Sequence, residues 1–528
     1  MRDFQLPGRS PAVATSAMAA TSHPLATLTA LDVLRAGGTA ADAAVAACAV
    51  QCVVEPQMTG IGGDCWVLYA PAGGGVDALN GSGWAPAALS ADKLKAEGLT
   101  EMPDGGAHSV TVPGAVGTWQ LLLEKRGRKG LDELLQPAIR YARDGFPVHP
   151  KVAFDWQRAA PRLERSAAGR DDYLPGGAPP AVGATMRFPK LAATLQVIAE
   201  RGADAFYAGP VASAMVASLK GFGGLHSEAD FADFRPEWVA PISATYKGVR
   251  VYECPPNGQG VIALLMLQIL ECLELEGLDP NGPERLHLEA EVTRLAFRDR
   301  DAAIADPRQR NVPMERLLSK SYARELAARI DPSRAMASLP PPLLPEHRET
   351  VYLSVVDRDG NACSFINSVY DSFGSGLVCP ETGVVFHNRG RAFSLETDHL
   401  NALAPRKRPM HTIIPGLAFE GERLWASFGV MGGDYQPVGH SRLMVNMLDY
   451  GMDPQEALDA PRVMAYPGPL QVESGVPAAT VEALRGKGHE PVPAAAPWGG
   501  GQVIVVDHER GVLFGGSDPR KDGLALGY

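Results

Sequence analysis

The sequence lacks long apolar runs. No stretch approaches the roughly 18 consecutive apolar residues that predict a membrane-spanning helix. The first residues, MRDFQLPGRSPAVATS, also lack the apolar centre of a secretory signal peptide. We therefore expect a soluble, cytoplasmic protein.

An excess of positive charge is also missing. The formal net charge is -11 and the isoelectric point is about 5.6. Nucleic-acid-binding proteins usually present a basic face, so this balance argues against a nucleic-acid partner. It does not exclude a small anionic substrate, because one local pair of arginines can bind such a molecule.

Cysteines are few, odd in number and scattered. Cys48 and Cys52 are four residues apart, which places them on one face of a helix rather than in a CxxC pair. The pattern predicts buried free thiols in a reducing compartment. The seven positions are Cys48, Cys52, Cys65, Cys254, Cys272, Cys363 and Cys379.

Several common catalytic motifs are absent. The sequence has no GxSxG elbow, no HExxH pair and no GxxxxGK[ST] phosphate loop. The glycine-rich GIGGDCW follows Glu55-Pro56 rather than a strand, so we predict a tight turn there. A metal centre, a nucleotide and an organic cofactor are therefore not expected.

What the sequence does contain is 57 glycines and 44 prolines, which divide it into many short elements. The first part has helical periodicity in segments such as HPLATLTALDVLRAGG and TAADAAVAACAVQCVVEP, with short strands such as CWVLYAP and VRVYECPP. Residues 331–349 are proline-rich and predict an exposed linker. From Thr350 the chain becomes β-rich, with hairpins predicted at Asp357–Asn361, Phe419–Arg423 and Asp507–Gly511.

Thr350 lies where this loop meets a strand. A threonine hydroxyl is a weak nucleophile unless a base is within hydrogen-bond reach. If the bond between Glu349 and Thr350 is cut, Thr350 gains an α-amine that can act as that base near neutral pH. On the residues alone, an ordinary strand-initiating threonine is the more common interpretation.

Two further stretches are candidates for substrate chemistry. Gly432 and Gly433 lie between a predicted strand and a predicted helix, where paired glycines can form an oxyanion hole or a plain turn. Arg389 and Arg391 follow the apolar run VVFHN, and each can be a surface charge or a bidentate ligand for a substrate carboxylate.

These blocks occur together in one known family. The chain resembles the γ-glutamyltransferase (glutathione hydrolase) family of N-terminal-nucleophile hydrolases over nearly its whole length. The similarity is carried by GGTAADAAVAA, EPQMTGIGGD, VPGAVGTW, TVYLSVVDRDGNACS, FGSG, KRPMHTIIP, MGGDYQ and SDPRKDGLALGY.

The resemblance implies an α+β fold, an αββα sandwich made as a self-cleaving proenzyme. It implies a large part, 1–349, and a small catalytic part, 350–528, that remain together as one unit, in a possible homo-oligomer. Thr350 would be the nucleophile and its amine the base, and Ser368 would support the hydroxyl. Gly432 and Gly433 match the oxyanion glycines, and Asn388 matches an asparagine next to the substrate.

The departures from the family bear on the substrate. The arginine that glutamate-specific members place near Ser82 or Gly83 is absent. Other family residues that contact a glutamyl group are replaced here, at Tyr370, Arg389, Ala392, His411 and Thr412. The anion that would pair with an α-amine is lost, and at least one cation, Arg389, is gained, with Arg391 and His411 as further candidates.

This pattern is similar to the family's amidohydrolase branch, which includes oxamate amidohydrolase and cephalosporin-acylase-like proteins. The sequence thus predicts an amide hydrolase for a small carboxylate-bearing amide. A γ-glutamyl hydrolase or transferase acting on glutathione is the second hypothesis. An unprocessed, non-catalytic relative is the third.

Overall fold

Two antiparallel sheets of seven strands each form the centre of the protein. The computed structural model describes Gln5, residues 8–338 and residues 351–528. The strands are β1 (Ala12–Ala14), β2 (Met18–Thr21), β3 (Asp64–Ala70), β4 (Asp77–Gly81), β5 (Phe146–Pro147), β6 (Thr185–Met186), β7 (Glu237–Val239), β8 (Ile242–Tyr246), β9 (Val249–Glu253), β10 (Val351–Val356), β11 (Ala362–Ser368), β12 (Gly416–Glu420), β13 (Arg423–Met431), β14 (Val463–Met464), β15 (Leu470–Val472), β16 (Pro491–Pro493), β17 (Gly500–Asp507), β18 (Val512–Ser517) and β19 (Leu524–Gly527).

Helices surround the two sheets, and several of them pack on the outer faces. They are α1 (Pro24–Arg35), α2 (Ala40–Val54), α3 (Ala91–Ala96), α4 (Ala115–Arg126), α5 (Leu131–Leu134), α6 (Gln136–Asp144), α7 (Pro150–Leu163), α8 (Ala167–Tyr173), α9 (Pro189–Arg201), α10 (Asp204–Tyr207), α11 (Pro210–Gly221), α12 (Glu228–Ala232), α13 (Gly260–Leu270), α14 (Pro283–Ala303), α15 (Met314–Leu317), α16 (Lys320–Ala327), α17 (Gln436–Leu448), α18 (Pro454–Asp459) and α19 (Ala478–Gly486).

The layers follow from the strand order. One sheet runs β1-β18-β17-β13-β12-β9-β8 and packs its outer face on α13, α14 and α17. The other runs β19-β2-β10-β11-β3-β4-β7 and packs on α1, α2, α4 and α6. A third core between the sheets contains Trp66, Tyr352, Ile366, Leu417 and Ile504. The predicted αββα sandwich is confirmed.

Between the two sheets, the residues of β13 pack closely against β10. A side chain at Gly429 of β13 would lie 2.5 Å from the ring of Tyr352, so only glycine fits there. Ser354 lies two residues after Tyr352 in β10, and Ser427 lies two residues before Gly429 in β13. Their hydroxyls are 2.6 Å apart and join the sheets through a buried hydrogen bond. These contacts fix the start of β10 relative to the end of β13.

The hairpin predicted at Asp357–Asn361 is present. Val351 pairs with Asn367 and Val356 with Ala362, and the Asp357 carboxylate accepts backbone N–H groups from within the turn. β10 then pairs with β2, and β11 pairs with β3. Strands from before and after the linker therefore lie side by side within one sheet.

Helix α2 lies against this sheet and is buried on all sides. Thr39 caps its first turn and Asp42 completes a capping box, as the predicted threonine cap requires. The helix ends at Val54, before Pro56, as predicted. Its C-cap residue, Glu55, is buried and accepts hydrogen bonds from Ser22 and Gln51.

The cysteine prediction holds for most positions. All seven cysteines are free thiols, and Cys272 alone among them is exposed. In the described part of the chain, no helix is long and apolar enough to cross a membrane.

Replacing Glu55 by Gln should make stability less dependent on pH. Burial raises the pKa of Glu55 from 4.5 to about 7, since hydrogen bonds from Ser22 and Gln51 offset only part of the cost of ionisation. The folded protein then holds this proton up to about pH 7 while the unfolded chain loses it near pH 4.5, so stability falls as pH rises between these values. The Gln variant should lack this pH-dependent loss of stability, which is about 3 kcal/mol at most.

Thermal unfolding of both proteins at pH 4.5, 6 and 8 checks this. The stability of the Glu55→Gln variant, relative to that of the wild type, is expected to increase as pH rises. An equal pH dependence in the two proteins would show that folding does not shift the pKa of Glu55.

Candidate active site

The site lies where strand ends from both sheets converge. Ser368 ends β11 and pairs directly with Asp64, the first residue of β3. Val351, which follows Thr350 in the chain, begins β10 beside them. Gly432 follows β13 of the facing sheet. Thr350 and Glu349 themselves lie outside the described residues, so their predicted roles stay predictions.

Gly432 and Gly433 both adopt positive φ, +127° and +58°. A Cβ on Gly432 would lie 2.8 Å from the Gly499 Cα, so glycine is required there on steric and conformational grounds. The buried Gln259 amide donates to the carbonyl oxygens of both Gly433 (3.0 Å) and Thr412 (2.7 Å). It thereby ties the glycine turn to the segment that carries His411 and Thr412.

Arg389 is fully buried in a short 3₁₀ turn after Asn388. Its Nη1 donates to the Thr412 hydroxyl at 2.8 Å, and its Nε lies 3.4 Å from Asp64 Oδ2. The guanidinium lies over the Tyr370 ring, 4.1 Å from the centroid. Its Nη2 has no hydrogen-bond partner among the described residues. Burial lowers the pKa of Arg389, which reflects incomplete compensation of its charge.

Asp64 is the acceptor around which the site is arranged. Its Oδ2 is 2.9 Å from His411 Nε2 and 3.3 Å from His387 Nδ1, and its Oδ1 accepts the Gly83 N–H. Burial alone would raise the pKa of this carboxyl, but His387 and His411 hold it well below its usual range. Asp64 is therefore ionised.

His411 does not supply the second cation considered from the sequence. Its Nε2 donates to Asp64, and its Nδ1 accepts from the Ile413 N–H at 3.4 Å, which describes a neutral ring. Burial and the nearby Arg389 lower the pKa of His411 to about 3. His411 therefore holds Asp64 in place as an uncharged donor.

Arg391 and Asn388 face a different carboxylate, that of Asp371. Arg391 Nη1 (2.8 Å) and Asn388 Nδ2 (2.6 Å) both donate to Asp371 Oδ2. Arg162 Nη2 approaches the same oxygen at 3.2 Å, and Asn388 also donates to the Asp104 carbonyl. Because Arg391 is committed here, Arg389 is the arginine that lies beside the strand ends.

Ser368 and Tyr370 connect the residues around Asp64 with those around Asp371. The Ser368 hydroxyl accepts the Tyr370 N–H at 2.8 Å, and Tyr370 adopts φ +78°, an uncommon value for a bulky residue. This turn brings the Tyr370 ring under Arg389. Burial raises the pKa of the Tyr370 hydroxyl well above its usual value, so it is neutral.

Sequence reasoning missed Asp64, His387 and Gln259. The glycine-rich pattern predicts a turn around Asp64. An acidic residue that opens a buried strand is itself a signal, because such a charge needs partners. His387 and Gln259 carried no comparable signal, since their partners come from distant parts of the chain.

The fold and the site together define a class. Two stacked antiparallel sheets between helices are the fold of N-terminal-nucleophile hydrolases. A cephalosporin acylase from Bacillus halodurans has the same fold, with a TM-score of 0.93, 41% identity and coverage of 100% of this chain and 99% of that one.

Sequence comparison gives the family. Residues 26–528 match the gamma-glutamyltranspeptidase family, and the chain belongs to it. It is 38% identical to the glutathione hydrolase-like YwrD proenzyme of Bacillus subtilis, over 98% of this chain and 99% of that one. It is 35% identical, with the same coverage, to the oxamate amidohydrolase proenzyme of Klebsiella pneumoniae. The predicted enzyme class, a hydrolase of amide bonds, is confirmed.

Replacing Asp371 by Ala should destabilise the protein. The change leaves Arg391 without its carboxylate and removes a contact between Arg162, before the linker, and the residues after it. We expect a loss of about 2 kcal/mol in the free energy of unfolding.

Calorimetric melting checks this, with Asp233→Ala as the matched control. Asp233 pairs with Arg406 at the surface, so that variant should melt like the wild type. If the two variants melt alike, the Asp371 contacts do not contribute to stability.

Proposed function

We propose that the protein is an autoprocessed threonine amidohydrolase for a small amide with a carboxylate next to the scissile carbonyl, of the oxamate type. The observation that carries this proposal is the buried Arg389, whose Nη2 is unpartnered among the described residues. A buried guanidinium edge of this kind suits a carboxylate oxygen.

Arg389 and the glycine turn are connected through the segment that carries Thr412. Arg389 donates to the Thr412 side chain, while Gln259 joins the Thr412 and Gly433 carbonyls through one amide nitrogen. In our proposal the substrate carboxylate contacts Arg389, and the scissile carbonyl contacts Gly432 and Gly433. The shared contacts through Thr412 and Gln259 support this arrangement. Oxamate, in which the amide and carboxylate carbons are directly bonded, is a minimal substrate of this kind.

The proposed reaction begins with Thr350, once the bond to Glu349 is cut. The Thr350 hydroxyl oxygen attacks the amide carbon, and its proton passes to the α-amine of the same residue. The N–H groups of Gly432 and Gly433 stabilise the oxyanion, and Ser368 supports the hydroxyl. The C–N bond breaks as the ammonium of Thr350 returns the proton to the leaving nitrogen. Water then hydrolyses the ester.

A γ-glutamyl substrate is the second candidate, because one relative is named a glutathione hydrolase-like proenzyme. Such a substrate carries an α-amine. Position 392, where the family has an aspartate to hold that amine, is a buried alanine here. The nearest ionised carboxylate in the Arg389 contact set, Asp64, is already surrounded by Arg389, His387 and His411. These contacts favour a substrate without an α-amine.

The intact mass of the purified protein is expected to show two parts. Cleavage before Thr350 predicts roughly 37 and 19 kDa, the 56.0 kDa chain divided by length. N-terminal sequencing of the smaller part should read Thr-Val-Tyr-Leu, and Thr350→Ala should stay a single chain. If the wild-type protein stays uncut on long incubation, the self-activated enzyme hypothesis fails and the non-catalytic hypothesis is the one that remains.

Arg389→Ala should raise KM for oxamate by a factor of about 100, equivalent to losing one charge-assisted hydrogen-bonded contact, with cleavage intact. Ammonia release measures this, beside nitroaniline release from a γ-glutamyl anilide. Arg406→Ala, at the exposed Asp233 pair, is the control and should leave both values unchanged. Preference of the wild type for the anilide would favour the γ-glutamyl hypothesis, and loss of cleavage would make Arg389 structural.

A further inference from the structure

Arg300 is a buried residue near the end of α14, and its guanidinium reaches the glycine turn at Gly432 and Gly433. Its Nη1 donates to the Asp434 carboxylate at 2.7 Å and to Gln259 Oε1 at 3.3 Å. Asp434 is the next residue after Gly433, and Gln259 Nε2 donates to the Gly433 carbonyl. One guanidinium nitrogen therefore contacts two side chains that adjoin the turn.

The contact with Arg300 determines how the Gln259 amide is oriented. A guanidinium only donates hydrogen bonds, so the atom that faces Arg300 must be the amide oxygen. The amide nitrogen then faces the carbonyl oxygens of Gly433 (3.0 Å) and Thr412 (2.7 Å), which only accept. The reversed amide would place an NH₂ group against the guanidinium and an oxygen against two carbonyls. All three contacts therefore favour the same orientation.

The glycine turn has no side chains of its own with which to hold its conformation. Gly432 and Gly433 both have positive φ, and glycine loses more conformational freedom on ordering than any other residue. The Tyr435 N–H donates to the Gly432 carbonyl at 3.0 Å. Because the C=O and N–H of a trans peptide point in opposite directions, the Gly433 N–H is directed away from this hydrogen bond. Its direction thus depends on where residues 433–435 are held, and Asp434 is the residue among them that Arg300 contacts.

Arg300 is fixed on its other edge as well. Its Nε donates to Asp301 Oδ1 at 2.8 Å, and the Tyr466 hydroxyl donates to the second oxygen of Asp301. The guanidinium carbon lies 4.4 Å from the centroid of the Phe297 ring. Burial alone would lower the pKa of Arg300, but Asp301 and Asp434 raise it above its usual value. The guanidinium is therefore charged and held at several points.

We propose that Arg300 is a positioning residue that holds the Gly432–Gly433 turn in one conformation through Asp434 and Gln259. A buried ion pair contributes little stability beyond that of apolar side chains of similar size, and a better-attested use is to select one arrangement of the groups around it. The effect on catalysis rests on the proposed function, because it requires the turn to bind the oxyanion. The effect on the turn itself does not.

The variant Arg300→Lys tests whether the turn is held. The lysine ammonium keeps the positive charge but lacks the planar fork with which arginine reaches its three partners. The N–H groups of Tyr435 and Gln436 are hydrogen-bonded within the turn. In the variant, a peptide that covers residues 431–436 should exchange its amide hydrogens for deuterium about tenfold faster than in the wild type.

Two further variants complete the exchange measurement. Gln259→Met removes the amide without adding a charge and should speed exchange in the same peptide by a factor of about three, because the pair between Arg300 and Asp434 remains. It also provides the test if Arg300→Lys does not fold. Arg298→Lys is the matched control. Arg298 lies on the same helix and pairs with Asp299, and both side chains are partly exposed, so exchange in the turn should be unchanged.

Kinetics test the consequence for catalysis. Arg300→Lys should lower kcat for oxamate about tenfold and change KM little, because the turn is proposed to act on the transition state. The value of kcat is expressed per molecule of folded, cleaved protein, which removes the effect of a smaller active fraction. A residue with a purely structural role would leave this corrected kcat unchanged.

Four results separate the possibilities. Faster exchange confined to the turn, together with the lower kcat, supports the whole proposal. Unchanged exchange in the turn, or faster exchange throughout the protein, would overturn it whatever the substrate. Faster exchange in the turn with a wild-type kcat would overturn the catalytic part. If the wild type does not hydrolyse oxamate, the proposed substrate is wrong, while the exchange data still decide whether Arg300 positions the turn.

Discussion

The site depends on one buried carboxylate. Asp64 opens β3 opposite Ser368, and its ionised side chain is stable only because donors approach it from separate segments. Removing a charge from water without partners costs several kcal/mol, so these segments are constrained to meet at Asp64. The residues that carry Arg389, His411 and Gly83 are thus positioned by a single electrostatic requirement rather than by apolar packing alone.

That requirement also links the two parts of the chain predicted on either side of Thr350. Asp64 and Gly83 precede the linker, whereas His387, Arg389 and His411 follow it. The sheet itself is shared in the same way, since β10 and β11 lie between β2 and β3. The division into 1–349 and 350–528 remains a prediction, but neither portion contains a complete site.

Local features of the fold were predictable from sequence, because they depend on neighbouring residues. The Thr39 cap, the stop before Pro56 and the turn at Asp357 each use contacts within a few positions. The roles of the charged residues were harder to predict. The neutrality of His411 depends on burial and on Arg389, and the commitment of Arg391 depends on Asp371, twenty residues away. Periodicity carries no information about such long-range pairing.

The order of the strands has a consequence for biosynthesis. β2, near the start of the chain, pairs on one side with β10 and on the other with β19, four residues long and ending one residue before the C-terminus. The Tyr528 carbonyl then accepts N–H groups from Ser16 and Ala17. A nascent chain therefore holds β2 without either sheet neighbour until β10 has been made, and without β19 until Gly527 has been made. Completion of this sheet therefore comes late in synthesis, and until then the unpaired edges of β2 are open to pairing with other chains.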